Sequence, residues 1–374
     1  MKNQADYFLT VLFVVLTVFG IVILNDVSSA FSQMKAGDSY YFLSHQLIYG
    51  VIPGLALAFF LYKIKLDFLK KWSLILLLIN LFLLSLVFLP KISLVSGGAS
   101  RWINIGGFSF QPAEFLKITF ILYLAAWLSS RINNRKILKK PSLANENNHQ
   151  IATLVAFIVI IGLIALFLLS QPNISTFGLI AAVGTMMYFL AGTAVWQTIF
   201  VAILGGSTLW ALMNIFPHSL KRLIVFMNPG ADSTGLGYQL SQTLIAVGSG
   251  GIFGVGLGMS TQKFGFIPSS ITDSVFAVYA EETGLLGSLI LIVIFVLFFW
   301  RGMRIARAIE DKFLQLVSIG ISSWIVLQAM VNIGAMTGLL PLAGIPLPFI
   351  SYGGSHIIAE LAGLGILLNI SKQS

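Results

Sequence analysis

The sequence predicts an all-α polytopic membrane protein of about ten transmembrane helices, and three observations carry that prediction. Of its 374 residues 57% are hydrophobic and only 9% charged, whereas a soluble globule carries roughly a quarter charged residues. Apolar runs of spanning length, about 20 residues, recur along the whole chain. The 22 Lys and Arg fall in short blocks beside those runs, which points to positive-inside topology rather than a nucleic-acid surface, despite a formal net charge of +9. The absence of Cys removes disulfides, thiolate nucleophiles and Cys-based metal sites. Four scattered His with no HExxH motif argue against zinc.

The ten runs cover roughly 7–25, 46–63, 72–90, 112–129, 151–170, 174–191, 195–216, 274–300, 313–335 and 350–370. The first lacks a small-residue cleavage site and reads as a retained helix. An even number of spans puts both termini on one side. Fifteen Lys and Arg fall in the loops of that side against six in the opposite loops. Both termini are therefore expected in the cytoplasm, with a large extracytoplasmic loop of about 217–273 between helices 7 and 8. The Lys- and Asn-rich stretch of about 130–150 reads as a mobile cytoplasmic linker. With no internal repeat and no soluble domain, residues 1–374 form a single membrane domain.

Polar residues then single out a few stretches. Between the third and fourth spans, Gly97, Gly98, Gly106 and Gly107 supply turns, Trp102 suits a membrane interface, and Pro112 suits the first turn of the next helix. Glu114 and Lys117 follow inside an apolar helix at a spacing of three, where they can neutralise each other or mark a functional site. In SQPNIST, Pro172 ends the fifth span with a tight turn. The stretch NIGAMTGLLPLAGIPLPFISYGGS, with Pro341, Pro346 and Pro348, is too broken for a helix and too apolar for a free loop. Such backbone needs shelter from protein or a water-filled cavity, so it is expected to pack over the outer half of the bundle.

The large loop contains GSGGIFGVGLG, whose spacing does not match GxxxxGK[ST]. Its glycines suit turns and close packing. Asp273, after IPSSIT and before an apolar helix, competes with Ser270, Thr272 and Ser274 to cap that helix. Glu281 and Glu282 lie on the same helix about 12 Å further along. Arg101, Glu114, Lys117, Lys263 and Asp273 all fall in the outer half of the bundle. Cations around one potential base suit a reaction with an anionic leaving group such as a diphosphate.

The stretches GASRWINIGGFSFQPAEFLKI, GYQLSQTLIAVGSGGIFGVGLGMSTQKFGFIP, TDSVFAVYAEETGLLG and GLLPLAGIPLPFISYGGS resemble the SEDS (FtsW/RodA/SpoVE) family of cell-wall polymerases. The resemblance extends from Asp6 to Ser371, and within the family it leans towards FtsW and SpoVE. It implies a peptidoglycan glycosyltransferase that polymerises lipid II into β-1,4 glycan strands at the outer face of the cytoplasmic membrane, in division or sporulation. It further implies a class B penicillin-binding protein as crosslinking partner, together with divisome or related membrane proteins.

Carried over by motif, Asp273 is the essential acid, taking the proton from the acceptor 4-hydroxyl as undecaprenyl diphosphate leaves with inversion. Arg101 and Lys117 contact the diphosphate, Lys263 is a further substrate-binding candidate, and Glu114 orients the cations. A divalent cation, Mg or Mn, is admitted as an assistant although no ligand cluster marks its place. The chain departs from the family pattern at Asn173, where an acid is usual, at Ser269 and Ile271, where Glu and His are usual, and at His356 and Glu360. A lipid II flippase and an inactive divisome scaffold are the alternatives. A flippase needs polar groups along a whole transmembrane path, and a scaffold tolerates loss of Asp273.

Overall fold

The computed structural model describes residues 4–89, 92–96, 99–105, 108–137, 143–232 and 234–373. Gly97, Gly98, Gly106, Gly107 and the linker centre, 138–142, lie outside them. Helices dominate because a backbone in hydrocarbon must satisfy its own hydrogen bonds. In order they are α1 Tyr7–Ala36, α2 Tyr41–Gln46 running through a π turn at Leu47–Val51 into α3 Ile52–Lys63, α4 Leu66–Leu86, α5 Pro112–Ile137, α6 Leu143–Ser170 and α7 Ile174–Leu190. There follow α8 Val195–Ile215, α9 Pro217–Met227, α10 Leu236–Ser249, α11 Val275–Ala308, α12 Lys312–Met336 and α13 Gly354–Ile370. Among the described residues nine helices are long and apolar enough to cross a membrane, with α2 and α3 counted as one. The sixth expected span, 174–191, is the 17-residue α7.

Helices α12 and α13 are the centre of the bundle, and their composition explains why. Ser318, Gly320, Ser322 and Ser323 on α12, and Ala359, Ala362, Gly363 and Gly365 on α13, are all buried. Small side chains let backbones approach closely where hydrophobicity gives no preference for protein over lipid. A Cβ on Gly365 would lie 2.4 Å from the Ala58 carbonyl oxygen of α3, so that crossing exists only without one.

The two ends of the bundle differ. At one, the Asp6 N–H donates to Ser371 Oγ (3.0 Å), Arg301 Nε donates to Asp6 Oδ1 (2.9 Å) and Lys372 Nζ donates to the Tyr62 carbonyl (2.6 Å). The first and last helices thus end together, as an even number of spans requires. At the other end lie the 337–353 segment and two loops whose structure departs from expectation.

The stretch before α5, read from sequence as turns, is a three-stranded antiparallel sheet: β1 Ser93–Ser96, β2 Ala99–Ile105 and β3 Phe108–Phe110. The large loop contains two helices, α9 and α10. The linker is shorter than 130–150, because α5 continues to Ile137 and α6 already begins at Leu143.

Helix α11 is broken at Gly284 (φ +68°). Into the break fits the glycine-rich chain after α10. Val255 and Gly256 donate to the carbonyls of Glu281 and Glu282, while Leu285 and Leu286 donate to those of Gly251 and Ile252. A Cβ on Gly254 would lie 2.1 Å from the Glu282 carbonyl oxygen. The glycines therefore serve backbone contact, and the four cross-bonds give partners to backbone groups that the break frees.

Candidate active site

Three polar clusters occupy the half of the molecule away from the termini, and they divide the residues singled out from sequence. The first surrounds Asp273. That residue ends the loop immediately before α11, with Ser274 in the capping position and no side chain bonded to the helix N-terminus. The expected alternative role, helix cap, is thus not the one Asp273 fills. Its carboxylate accepts from Thr272 Oγ1 (3.1 Å). Part of its surface remains open although protein atoms crowd around it. Burial pushes its carboxyl above the ordinary value of 3.8, against its own N–H, the Thr272 hydroxyl and the Arg222 charge.

Arg222, on α9, went unnoticed in the sequence. Its Nη1 donates to the Ala343 carbonyl (3.0 Å) and weakly to Ser175 Oγ (3.4 Å), and it interacts electrostatically with both Asp273 and Arg101. Arg101, on β2, donates from Nε to the Gln171 carbonyl (3.1 Å) and from Nη2 to the Pro172 carbonyl (2.7 Å). Burial, with Arg222 beside it, lowers the Arg101 pKa from its ordinary value. Two guanidiniums held by backbone carbonyls retain their full positive charge, since carbonyls accept without neutralising. Next to them, Nδ2 of the buried Asn173 has no hydrogen-bond partner among the described residues.

The second cluster lies deeper, between α5, α12 and α13. Lys117 Nζ donates to Glu114 Oε2 (2.7 Å) and to Gln328 Oε1 (2.8 Å), and it sits 4.9 Å from the centre of the Trp324 ring. Gln328 also accepts from Trp324 Nε1 (2.8 Å) and donates to Glu360 Oε1 (3.2 Å) and the Pro346 carbonyl (3.0 Å). Lys117 borders a tightly packed, otherwise apolar seam of Phe120, Ile121, Leu179, Ile180, Val183 and Trp324 between α5, α7 and α12.

The third cluster corrects the placement of Lys263. Its Nζ donates to Glu282 Oε1 (2.9 Å) and Asp26 Oδ1 (3.0 Å), and both Lys263 and Glu282 are buried. Glu281 beside it accepts from Ser260 Oγ, the Thr261 N–H and Thr261 Oγ1. Lys263 ties the loop to α1 and α11 through two carboxylates, and neither of them belongs to the Asp273 group. Two carboxylate partners hold its ammonium between α1 and α11, and drawing it towards a substrate would cost those bonds.

One structural link joins the first two clusters. Asn332, one turn beyond Gln328 on α12, donates from Nδ2 to the Asp273 carbonyl (2.7 Å) and the Ile345 carbonyl (2.8 Å). The Pro-rich 337–353 segment therefore packs at the end of the bundle away from the termini, and it directly supports the turn carrying Asp273.

Comparison with known proteins agrees with this architecture. The family model described as cell cycle protein, FtsW/RodA/SpoVE, matches residues 6–374. Stage V sporulation protein E of Bacillus subtilis is 35% identical over 376 residues, covering 100% of this chain and 98% of that protein. A probable peptidoglycan glycosyltransferase FtsW of Trichlorobacter lovleyi is 37% identical, covering 98% and 93%.

Among solved structures, a chain from work on the structural coordination of polymerization and crosslinking by a peptidoglycan synthase complex superposes with a TM-score of 0.75 at 25% identity, covering 98% of this chain and 97% of that one. The rod shape determining protein RodA of Thermus thermophilus gives 0.68 at 25%, covering 98% and 96%. With a matching family model over nearly its full length and relatives above 30% identity throughout, the chain belongs to the FtsW/RodA/SpoVE family of multi-pass membrane proteins.

Proposed function

We infer that this protein is a peptidoglycan glycosyltransferase that polymerises lipid II at the outer face of the cytoplasmic membrane, with Asp273 as its general base. The observation that carries the site assignment is a half-buried carboxylate, Asp273, facing the Arg222 guanidinium, which in turn stands beside Arg101, with the side-chain bonds of both arginines going to neutral groups. The names of its relatives support the activity, and the resemblance to a chain of a peptidoglycan synthase complex supports a class B penicillin-binding partner. Divisome proteins would be further neighbours.

The Asp273 carboxylate takes the proton of the acceptor 4-hydroxyl. That oxygen attacks the anomeric carbon of the donor sugar, the bond to the diphosphate breaks, and the electron pair leaves on undecaprenyl diphosphate with inversion. Arg101 and Arg222 stabilise the charge that develops on the leaving diphosphate, since preorganised cations act most strongly where charge appears in the transition state. The raised pKa of Asp273 brings the base nearer to the working pH, where proton transfer is most effective. Lys117, held by Glu114, is the deeper cation facing the bundle interior.

A Mg or Mn ion would be carried by the substrate diphosphate rather than by the chain. Among the described residues no group of three or more His, Asp or Glu forms a cation-binding cluster.

The test is polymerisation of labelled lipid II by the purified chain with its crosslinking partner, whose transpeptidase is blocked. Polymer from the wild type and none from a folded Asp273→Asn variant is the expected result. Equal polymer from both removes Asp273 as the base. Movement of lipid II across vesicles without polymer replaces the enzyme reading by transport.

A further inference from the structure

The last helix carries a buried carboxylate, Glu360, that the proposed chemistry leaves unused. Its two oxygens have different partners. Oε1 accepts from Gln328 Nε2 (3.2 Å), and Oε2 accepts from the backbone N–H of Phe349 (2.8 Å). Phe349 is a buried, non-glycine residue at φ +65°, a left-handed conformation that persists only where its surroundings enforce it. Its N–H has no helix or strand to join, so without Glu360 a buried donor would go unsatisfied.

The turn pinned in this way grips the loop segment carrying Asp273. Ser351 Oγ accepts from the Leu347 N–H (2.8 Å) and donates to the Thr272 carbonyl, and the Tyr352 N–H donates to the Ile271 carbonyl (2.8 Å). Asn332 secures the Asp273 carbonyl itself and Gln328 secures that of Pro346. Every tie from the 345–352 turn to residues 271–273 thus depends on the turn keeping its shape. Through Gln328, the same carboxylate bears on Lys117. His356, one turn earlier on α13, is buried with Nε2 unpartnered among the described residues, and its ring hydrogen-bonds the backbone of Ser351 in the same turn.

We propose that Glu360 is a positioning residue for the glycosyltransferase: it fixes the Phe349 turn, and through Ser351 and Tyr352 it sets the place and orientation of Asp273. The proposal rests on the catalytic reading of Asp273, but the link from Glu360 to residues 271–273 is measurable without it. A carboxylate is suited to this task because it accepts from two directions at once, from an amide on α12 and from a backbone N–H in the turn. A neutral apolar side chain at 360 would leave both donors buried and unpaired.

The experiment compares wild type, Glu360→Leu, Glu360→Gln and Ser351→Ala as full chains with the crosslinking partner, its transpeptidase blocked. Initial rates are taken over a lipid II titration, and amide hydrogen exchange is followed by mass spectrometry. Because small misplacements of a catalytic group cost up to about 10²-fold, Glu360→Leu should lose kcat by roughly ten- to a hundredfold with KM little changed. Exchange should accelerate in 345–352 and 268–274 but not in 312–326.

Glu360→Gln retains an oxygen for the Phe349 N–H and should recover most of kcat. Ser351→Ala breaks the link one step closer to Asp273 and should reproduce the loss, less than additively with Glu360→Leu. Wild-type kcat in either Glu360→Leu or Ser351→Ala overturns the proposal, as does faster exchange throughout α12 and α13 alike, which marks a role in folding only. Should Glu360→Leu not fold, Ser351→Ala alone decides. If the wild type makes no polymer, the glycosyltransferase reading fails, and exchange at 268–274 in Ser351→Ala and Glu360→Gln still tests the link.

Discussion

Asp273 is destabilised as an anion by the site that uses it, and this makes two expectations separable. Its pKa is raised above 3.8 by burial, so the folded state binds the proton more tightly than the unfolded chain does. Stability from this group is present at low pH and is lost as pH rises through the folded pKa. The base has the opposite requirement, being active only when ionised. Polymerisation should therefore fall as pH drops through a midpoint above the usual carboxylate range, and an initial-rate profile with saturating lipid II measures that midpoint. Asp273→Asn should lose about 10²–10⁴-fold in rate with thermal stability equal to or above wild type. An unfolded variant would contradict the burial account. Arg222→Ala should cost about 10²–10³-fold in kcat, the usual effect of removing one stabiliser of developing charge, in the same polymer assay.

Sequence reading reached Asp273, Arg101, Glu114 and Lys117 but not Arg222, and the reason is physical. Arg222 stands beside Lys221 in an amphipathic helix, where a basic pair reads as a solvated face. Lys221 is indeed on that face, paired with Asp232 at 3.0 Å. The signal that separates the two residues is which of them turns inward, and that depends on how α9 lies on its neighbours.

Among the elements, the broken helix α11 and the chain docked in its break form one unit. Gly254 sits at φ +80° with no room for a Cβ beside the Glu282 carbonyl. Gly254→Ala should therefore lower thermal stability, by about 1–3 kcal/mol for an overpacked site, read by unfolding in detergent. Lys263→Met should do so more strongly, because it leaves buried Glu282 without its cation. Removing one partner of a buried pair costs about 3–5 kcal/mol. Lys263→Met with Glu282→Gln should recover part of that loss.

The sheet before α5 shows a different gap between sequence and structure. Alternating Trp102, Ile103, Asn104 and Ile105 on one side of a Gly-Gly pair, and Phe108, Ser109 and Phe110 on the other, is a hairpin pattern. It was legible, but strands of three to seven residues in a chain of membrane spans contribute little to any pattern taken over longer windows.

For the whole molecule, orientation in the membrane is the open expectation. The ends of α1 and α13 meet at Asp6 and Ser371, beside Arg301, and the Asp273 site is at the opposite end. Positive-inside asymmetry predicts that the termini lie in the cytoplasm. The chain has no Cys, so single cysteines report cleanly. In intact cells Gly230→Cys should react with a membrane-impermeant maleimide, and Glu310→Cys should react only after lysis. The reverse pattern would put Asp273 on the cytoplasmic side and remove lipid II polymerisation at the outer face.

By itself the sequence determined the membrane class, the places of the spans, the irregular Pro-rich segment and the acid at 273. Those follow from local composition, because hydrocarbon demands apolar runs of fixed length and proline forbids helix wherever it occurs. Only the tertiary structure decided that Lys263 is a paired tie, that Arg222 joins Arg101 and Asp273, and that Glu360 reaches them through a strained turn. Pairing of charges is a matter of which atoms lie within about 3–4 Å. Across residues as distant as 26 and 263, or 273 and 360, that separation is set by helix packing and not by anything adjacent in the chain.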